Sequence, residues 1–192
     1  LADCPDLRDG AIVLIGGFGD AGVPEKLIET ICELGLRNLT VVSNNAGSGD
    51  YGLASLLKAG CVGKMVCSFP RSAGSIVFEE LYAAGKIELE LVPQGTLAER
   101  IRAGGAGIPA FYTATGYGTP LAQGKETREF DGRHYVMERA IRADVALIQG
   151  GLEVVGRSAV RQVAALHVEP LHLLVKSELF DLVTADLDAL RG

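Results

Sequence analysis

Several chemistries are missing from this sequence. Its four cysteines, Cys4, Cys32, Cys61 and Cys67, show no C-x-x-C spacing. Its three histidines, His134, His167 and His172, form neither H-x-x-x-H nor H-E-x-x-H. Zinc and other metals held by such clusters are therefore not expected. There is no G-x-x-x-x-G-K-[ST] phosphate loop and no G-x-S-x-G nucleophile elbow. Basic residues number 18 against 24 acidic ones, a net charge of -6. That balance gives no electrostatic footprint for nucleic acid or an anionic membrane. No apolar run approaches bilayer-spanning length, and no charged-then-apolar leader opens the chain. A cytoplasmic location is the expectation, with buried free thiols in a reducing compartment.

What is present suits one α/β domain over residues 1–192. A chain of 192 residues, 48% of them hydrophobic, can bury a full core. It opens on Leu1 rather than methionine, which leaves room for residues ahead of it. Its 25 glycines gather in loops after apolar runs, a pattern that suggests ligand sites lined by backbone.

The organising stretch is Asp9 to Pro24, DGAIVLIGGFGDAGVP. Ala11 to Ile15 reads as a buried parallel strand covered on both faces. Gly16, Gly17, Gly19 and Gly22 then let the backbone turn and approach a ligand closely. Pro24 can open the next helix, in which Leu27, Ile28, Ile31, Cys32 and Leu34 face inward, with Gly35 as its stop. Gly17 to Gly22 also matches the dinucleotide fingerprint G-x-G-x-x-G. A NAD site needs an acid at the end of the second strand to hold the ribose hydroxyls. Here that strand, Leu39 to Ser43, runs into neutral Asn44 and Asn45, so a NAD site is disfavoured.

Further along, helices are expected over Leu53 to Ala59 and Ile76 to Ala84. Strands are expected over Lys64 to Phe69, Lys86 to Val92 and Asp144 to Ile148. In Lys86 to Val92, Ile87, Leu89 and Leu91 alternate with Glu88 and Glu90, so one face should be more solvated. Thr96 and Glu99 read as a capping box for a helix through Arg102, after a Pro93-Gln94-Gly95 loop. Residues 104–135 look irregular, an ordered binding loop bearing Phe111, Tyr112 and Tyr117, with a hairpin turn at Asp131-Gly132. Beyond Gly150 the pattern is weak, with a strand at Leu171 to Val175 and a helix at Glu178 to Leu190 as candidates. Alternating strands and helices imply a parallel or mixed sheet flanked by helices. The ligand then lies beyond the carboxyl ends of the strands.

The whole Asp9 to Pro24 stretch resembles the signature of the A (α) subunit of family I coenzyme A transferases. The likeness continues through Ser43-Asn44-Asn45-Ala46-Gly47, through Pro93 to Gly107 (PQGTLAERIRAGGAG) and through Ala143 to Ile148 (ADVALI). It covers roughly residues 5–149; residues 150–192 are atypical, and the chain ends earlier than most α subunits. Cys67 to Arg71, Phe78 to Tyr82 and Gly124 to Glu129 look most like the branch acting on 3-oxoadipate; acetoacetate and other 3-oxoacids are the alternative. The resemblance implies a NagB/RpiA/CoA transferase-type fold. It also implies CoA transfer from succinyl-CoA to a 3-oxoacid, with CoA thioesters as substrates and no cofactor. In that family a glutamate carboxylate attacks the thioester and passes through a glutamyl-CoA intermediate. The glutamate lies in an S-E-N-G motif of the B (β) subunit, and no S-E-N-G occurs here. A heterodimer or heterotetramer with a glutamate-bearing β subunit is the implied partnership.

The resemblance makes Gln94 the catalytic candidate, a neutral amide donor to the oxyanion; a loop amide satisfying local backbone is the alternative. Gly16, Gly17, Phe18, Gly19, Gly22, Asn44, Asn45, Arg71 and Gly95 are the candidate substrate- and CoA-binding residues. Phe18 would wall the pocket, and the asparagines serve either ligand or Asx turns. Arg71 would either clamp a distal carboxylate or sit solvated on the surface. A stand-alone module binding a nucleotide or sugar phosphate through the glycine loop is the reading from a different class.

Overall fold

The structure, a computed structural model, describes residues 4–71, 76–152, 160–169 and 172–173. In chain order these form β1 (Ile12–Ile15), α1 (Glu25–Leu34), β2 (Leu39–Val42), α2 (Leu53–Lys58), β3 (Val62–Cys67), α3 (Val77–Ala83), β4 (Glu88–Leu91) and α4 (Gln94–Gly105). There follow β5 (Ala110–Thr113), a 3-10 turn at Pro120–Ala122, β6 (Thr127–Phe130), β7 (Arg133–Arg139), β8 (Val145–Leu152), β9 (Val160–Glu169) and β10 (His172–Leu173). The main sheet runs β10-β9-β8-β1-β2-β3-β4. Strands β8, β1, β2, β3 and β4 are parallel, while β9 and β10 join antiparallel. The fold is thus the expected mixed α/β sheet flanked by helices. No described helix is long and apolar enough to cross a membrane.

The two faces of the sheet are covered unequally, which decides where the cleft lies. Val13, Val41, Met65 and Leu147 are buried beside Ile28, Ile31, Leu56 and Phe78 of α1 to α3, in the larger apolar core. On the other face Val42, Val66 and Val92 pack with Leu97 of α4, and Ile12 and Leu14 are only partly buried. So β1 is not sealed on both faces, as its unbroken apolar run suggests. The single helix α4 leaves part of the second face open.

Helix α1 is amphipathic as expected, and it ends at Gly35 (φ 65°), whose N–H reaches Cys32 O. The left-handed conformation there costs a glycine nothing. Pro24 sits one residue outside the helix, as its cap. In α4 the expected capping box does not form. The helix begins at Gln94, capped by Pro93, and Leu97 N–H donates to Pro93 O at 2.8 Å. Thr96 is buried, and Glu99 pairs with Arg102 instead. Proline lacks an N–H and fixes its own φ, so it fits just outside a first turn whose N–H groups have no helical acceptors.

Residues 104–135 are not one irregular loop. Strands β5, β7 and β6 form a second, antiparallel sheet. The expected hairpin turn is there, with Asp131 (φ 51°) and Gly132 (φ 73°) both left-handed, as a two-residue primed turn requires. The strands themselves escape a pattern search because β6 is exposed along its whole length. The ten-residue β9, paired along β8, lies in the stretch that reads as weakly patterned. Of the two tail elements, the described part of the strand at Leu171 to Val175 is β10, and the rest of it, like the helix at Glu178 to Leu190, lies outside the described residues. All four cysteines are free. Burial pushes the Cys67 thiol up to about 12 and raises those of Cys32 and Cys61, so these thiols are held protonated and inert.

Candidate active site

The carboxyl ends of β1 and β2 and the middle of β8 meet the first turns of α4 around a cavity of about 380 Å³. Gly16, Gly17 and Phe18 from the β1 loop, Ser43 and Asn44 from the end of β2, and Gln94 from α4 line it. Leu97, Ala98 and Ile101 form its wall along α4, with Ile148 on β8. Among the described residues, none that lines it is acidic, basic, a histidine or a cysteine.

The glycine loop is positioned by backbone bonds. Gly16 N–H donates to Leu147 O at 2.9 Å, tying the loop start to β8. Phe18 and Ala21 then exchange two backbone hydrogen bonds across a tight turn, which leaves Phe18 67% exposed at the rim. Gly17 has φ 129°, and a Cβ there would stand 2.8 Å from Val23 Cγ2, so only glycine fits. This turn consumes N–H groups that a dinucleotide loop would offer to pyrophosphate. Helix α1 starts only at Glu25, an acid in its first turn, which weakens any pull on phosphate.

Helix α4 has the opposite character. Its first turn carries no acid, so its free N–H groups and partial positive charge face the cleft end of the helix uncompensated. Gln94, its first residue, donates from Nε2 to Asn44 Oδ1 at 2.7 Å. Among the described residues, the second Nε2 hydrogen has no partner. Asn44 is itself held, because its carbonyl accepts from Ser68 N–H at 3.1 Å and Phe69 N–H at 3.0 Å. The sequence reads Gln94 as a loop residue; its place as the first residue of a helix adds the helix terminus to the site.

The expected site residues divide into two groups. Gly16, Gly17, Phe18, Asn44 and Gln94 come together at the cleft. The others do not line it. Asn45 is buried; its Oδ1 accepts from Gly47 N–H at 2.8 Å and its Nδ2 donates to Gly19 O at 3.3 Å. It is an Asx-turn residue that also pins the glycine loop. Gly19 (φ 58°) and Gly22 (φ 71°) shape that loop. Gly95 lies on the exposed side of α4 with open space around it. Arg71 is 82% exposed and pairs with Glu79 at 3.0 Å, the surface alternative. The apolar wall of Leu97, Ile101 and Ile148 is absent from the sequence-based expectation, although the i, i+4 spacing of Leu97 and Ile101 places them on one helix face.

The chain is similar to known proteins. The chain is 64% identical over 143 residues to the A subunit of the 3-oxoadipate CoA-transferase of Acinetobacter baylyi, covering 74% of this chain and 63% of that protein. It is 62% identical over 143 residues to the corresponding 3-oxoadipate CoA-transferase chain of Pseudomonas putida, covering 74% and 62%. The chain therefore matches less than two thirds of the length of these relatives. Among solved structures, an acyl-CoA transferase from Escherichia coli O157:H7 superposes with a TM-score of 0.65 at 26% identity, over 74% of this chain and 32% of that one. The family profile of coenzyme A transferases matches residues 4–152, and the chain belongs to that family.

Proposed function

We propose that this chain is the A-type half of a two-subunit CoA-transferase that moves CoA from succinyl-CoA to a 3-oxoacid, with 3-oxoadipate as the acceptor. The observation that carries the reading is the Gln94 amide, fixed by Asn44 at a cleft whose lining, among the described residues, holds no ionisable group. Such a cleft can bind and polarise a thioester but cannot attack one. A glutamate from the partner subunit supplies the nucleophile.

Its carboxylate oxygen adds to the succinyl-CoA carbonyl carbon, and the carbonyl electrons move onto oxygen. The C–S bond then breaks to give an acyl-glutamyl anhydride and CoA thiolate. The thiolate adds to the glutamyl carbonyl, releasing succinate and leaving glutamyl-CoA. The carboxylate of 3-oxoadipate repeats the sequence in reverse, and the glutamate is regenerated. Each tetrahedral step places negative charge on one oxygen. The second N–H of Gln94 and the positive end of α4 suit that charge without permanently pairing the nucleophile. The chemistry calls for no cofactor beyond the CoA thioesters.

Exposed apolar side chains at this edge support a partner over the cleft. Phe18 is 67% exposed, Phe69 50%, Ile148 43% and Leu91 41%. Phe18 and Phe69 follow β1 and β3, and Leu91 ends β4. Ile148 comes directly after Leu147, the last residue of β8 paired with β1. All four therefore belong to the carboxyl edge of the parallel strands. The test is reconstitution. The purified chain alone should transfer no CoA from succinyl-CoA to 3-oxoadipate, and adding a glutamate-bearing β subunit should restore transfer. Transfer by the chain alone, or none with the partner bound, contradicts the proposal.

A further inference from the structure

Arg100 lies on α4, six residues after Gln94, with a side chain only 11% exposed. A charged guanidinium is held out of water at a cost unless its donors are satisfied. Here they are. Nη1 donates to Glu90 Oε1 on β4 at 2.6 Å, and Nε donates to Arg139 O on β7 at 2.7 Å. Glu138 Oε2 lies 3.9 Å from the same Nε. The network extends on both sides, since Lys64 pairs with Glu90 at 2.7 Å and Lys125 with buried Glu138 at 2.6 Å. One side chain thus ties α4 to the main sheet and to the small one.

The backbone repeats the attachment. Ile141 N–H donates to Arg100 O at 2.9 Å. A Cβ on Gly104 would stand 2.0 Å from Ile141 O, so the C-terminal half of α4 lies directly against residues 141–142. Among the described residues, the polar tie between the N-terminal half and the sheet is the Gln94–Asn44 bond itself. A helix transmits a rotation or a slide along its axis, and six residues span about 9 Å.

We propose that Arg100 is a positioning residue: its bonds to Glu90 and Arg139 set the rotation and height of α4, and so the place of the Gln94 amide in the cleft. The inference rests on the transferase reading for its effect on turnover but not for its effect on Gln94. Arg100 does not line the cleft that holds Gln94. A lysine in its place keeps the charge but cannot donate to Glu90 and Arg139 O in the same planar fork.

Two measurements on Arg100→Lys test this. In the isolated chain, the side-chain amide resonances of Gln94, identified by their loss in Gln94→Ala, should shift. Arg102→Lys, on the exposed face of the same helix and paired with Glu99, should leave them in place. In the complex with the β subunit, Arg100→Lys should lower kcat about 10- to 100-fold with KM nearly unchanged, the size expected when a reacting group is misplaced by about an ångström. Made on top of Gln94→Ala, it should cost little more. Should Arg100→Lys fail to fold, Glu90→Gln, which weakens the Nη1 bond, takes its place with the same expectations. The proposal is overturned if a folded variant leaves the Gln94 resonances unmoved, or if the loss in kcat is the same with and without Gln94. If the resonances move while Gln94→Ala keeps full turnover, Arg100 still positions Gln94, and it is the oxyanion role of Gln94 that fails.

Discussion

Gln94 Nε2 lies 2.7 Å from Asn44 Oδ1, so the end of β2 holds the first residue of α4. These residues are 50 positions apart in sequence and meet only because β2 ends at the edge of the sheet where α4 begins. The bond occupies one amide hydrogen and aims the other. Asn44→Ala should therefore leave Gln94 free to rotate, lowering kcat about tenfold, roughly the worth of one hydrogen bond, with KM little changed. Asn44→Asp keeps the acceptor but sets a negative charge beside the developing oxyanion, and should lower kcat further. Steady-state kinetics of the reconstituted complex checks both, and an Asn44→Asp enzyme faster than Asn44→Ala would contradict this geometry.

The glycine loop makes a stability prediction that needs no partner. Gly17→Val places a β-branched side chain at φ 129° with its Cβ 2.8 Å from Val23 Cγ2. Strain of this kind costs about 1–3 kcal/mol before the clash is added, so thermal unfolding should shift strongly downward. Gly95→Ala is the contrast. It lies within α4 with nothing near its Cβ position, and should be neutral or stabilising by up to about 1 kcal/mol. Equal melting temperatures for the two variants would refute the assignment of the tight turn.

The charged network beneath α4 predicts a pH dependence. Burial pushes the Glu90 carboxyl up, but hydrogen bonds and charge from Lys64 and Arg100 outweigh it and hold the group below its ordinary value of 4.5. A depressed folded pKa means that the contribution is complete above the unfolded value and is lost as pH falls through the folded one. Glu90→Gln should thus lower the urea midpoint by a constant amount above about pH 5, and the gap to the native chain should close in stronger acid. A gap that widens on acidification would show the sign to be wrong.

Much of this is legible in the sequence, for local reasons. Ile12 to Ile15 followed by glycines marks a strand and its loop, though not that one face stays partly open, and Gly35 and Gly85 mark helix ends because their left-handed φ is needed there. The three strand-end segments carrying Gly17, Asn44 and Gln94 are recognisable from their turn residues, and their meeting follows from parallel topology. Long-range outcomes are not legible. Whether Asn44 or Asn45 faces the cleft depends on which one Gly47 N–H and Gly19 O claim, and nothing in the sequence distinguishes them. Arg71 has a suggestive position after β3, but Glu79 on the next helix holds it at the surface. The small sheet escapes because its strands are short and β6 has no buried face. The capping box fails because Pro93 starts the helix earlier, which puts Thr96 inside the first turn rather than at its cap.

Turnover of the Gln94→Ala complex tests the central claim most directly. Removing one preorganised oxyanion donor costs about 10²–10³ in kcat, because the bond strengthens as negative charge develops on the thioester oxygen. The ground-state carbonyl is a weaker acceptor, so KM should stay close to its native value. With the fold and the complex intact, a fall in kcat of that size at nearly constant KM is the predicted result. Near-normal kcat, or a loss confined to KM, would contradict the account and move the oxyanion donors to the backbone of α4 or to the partner chain.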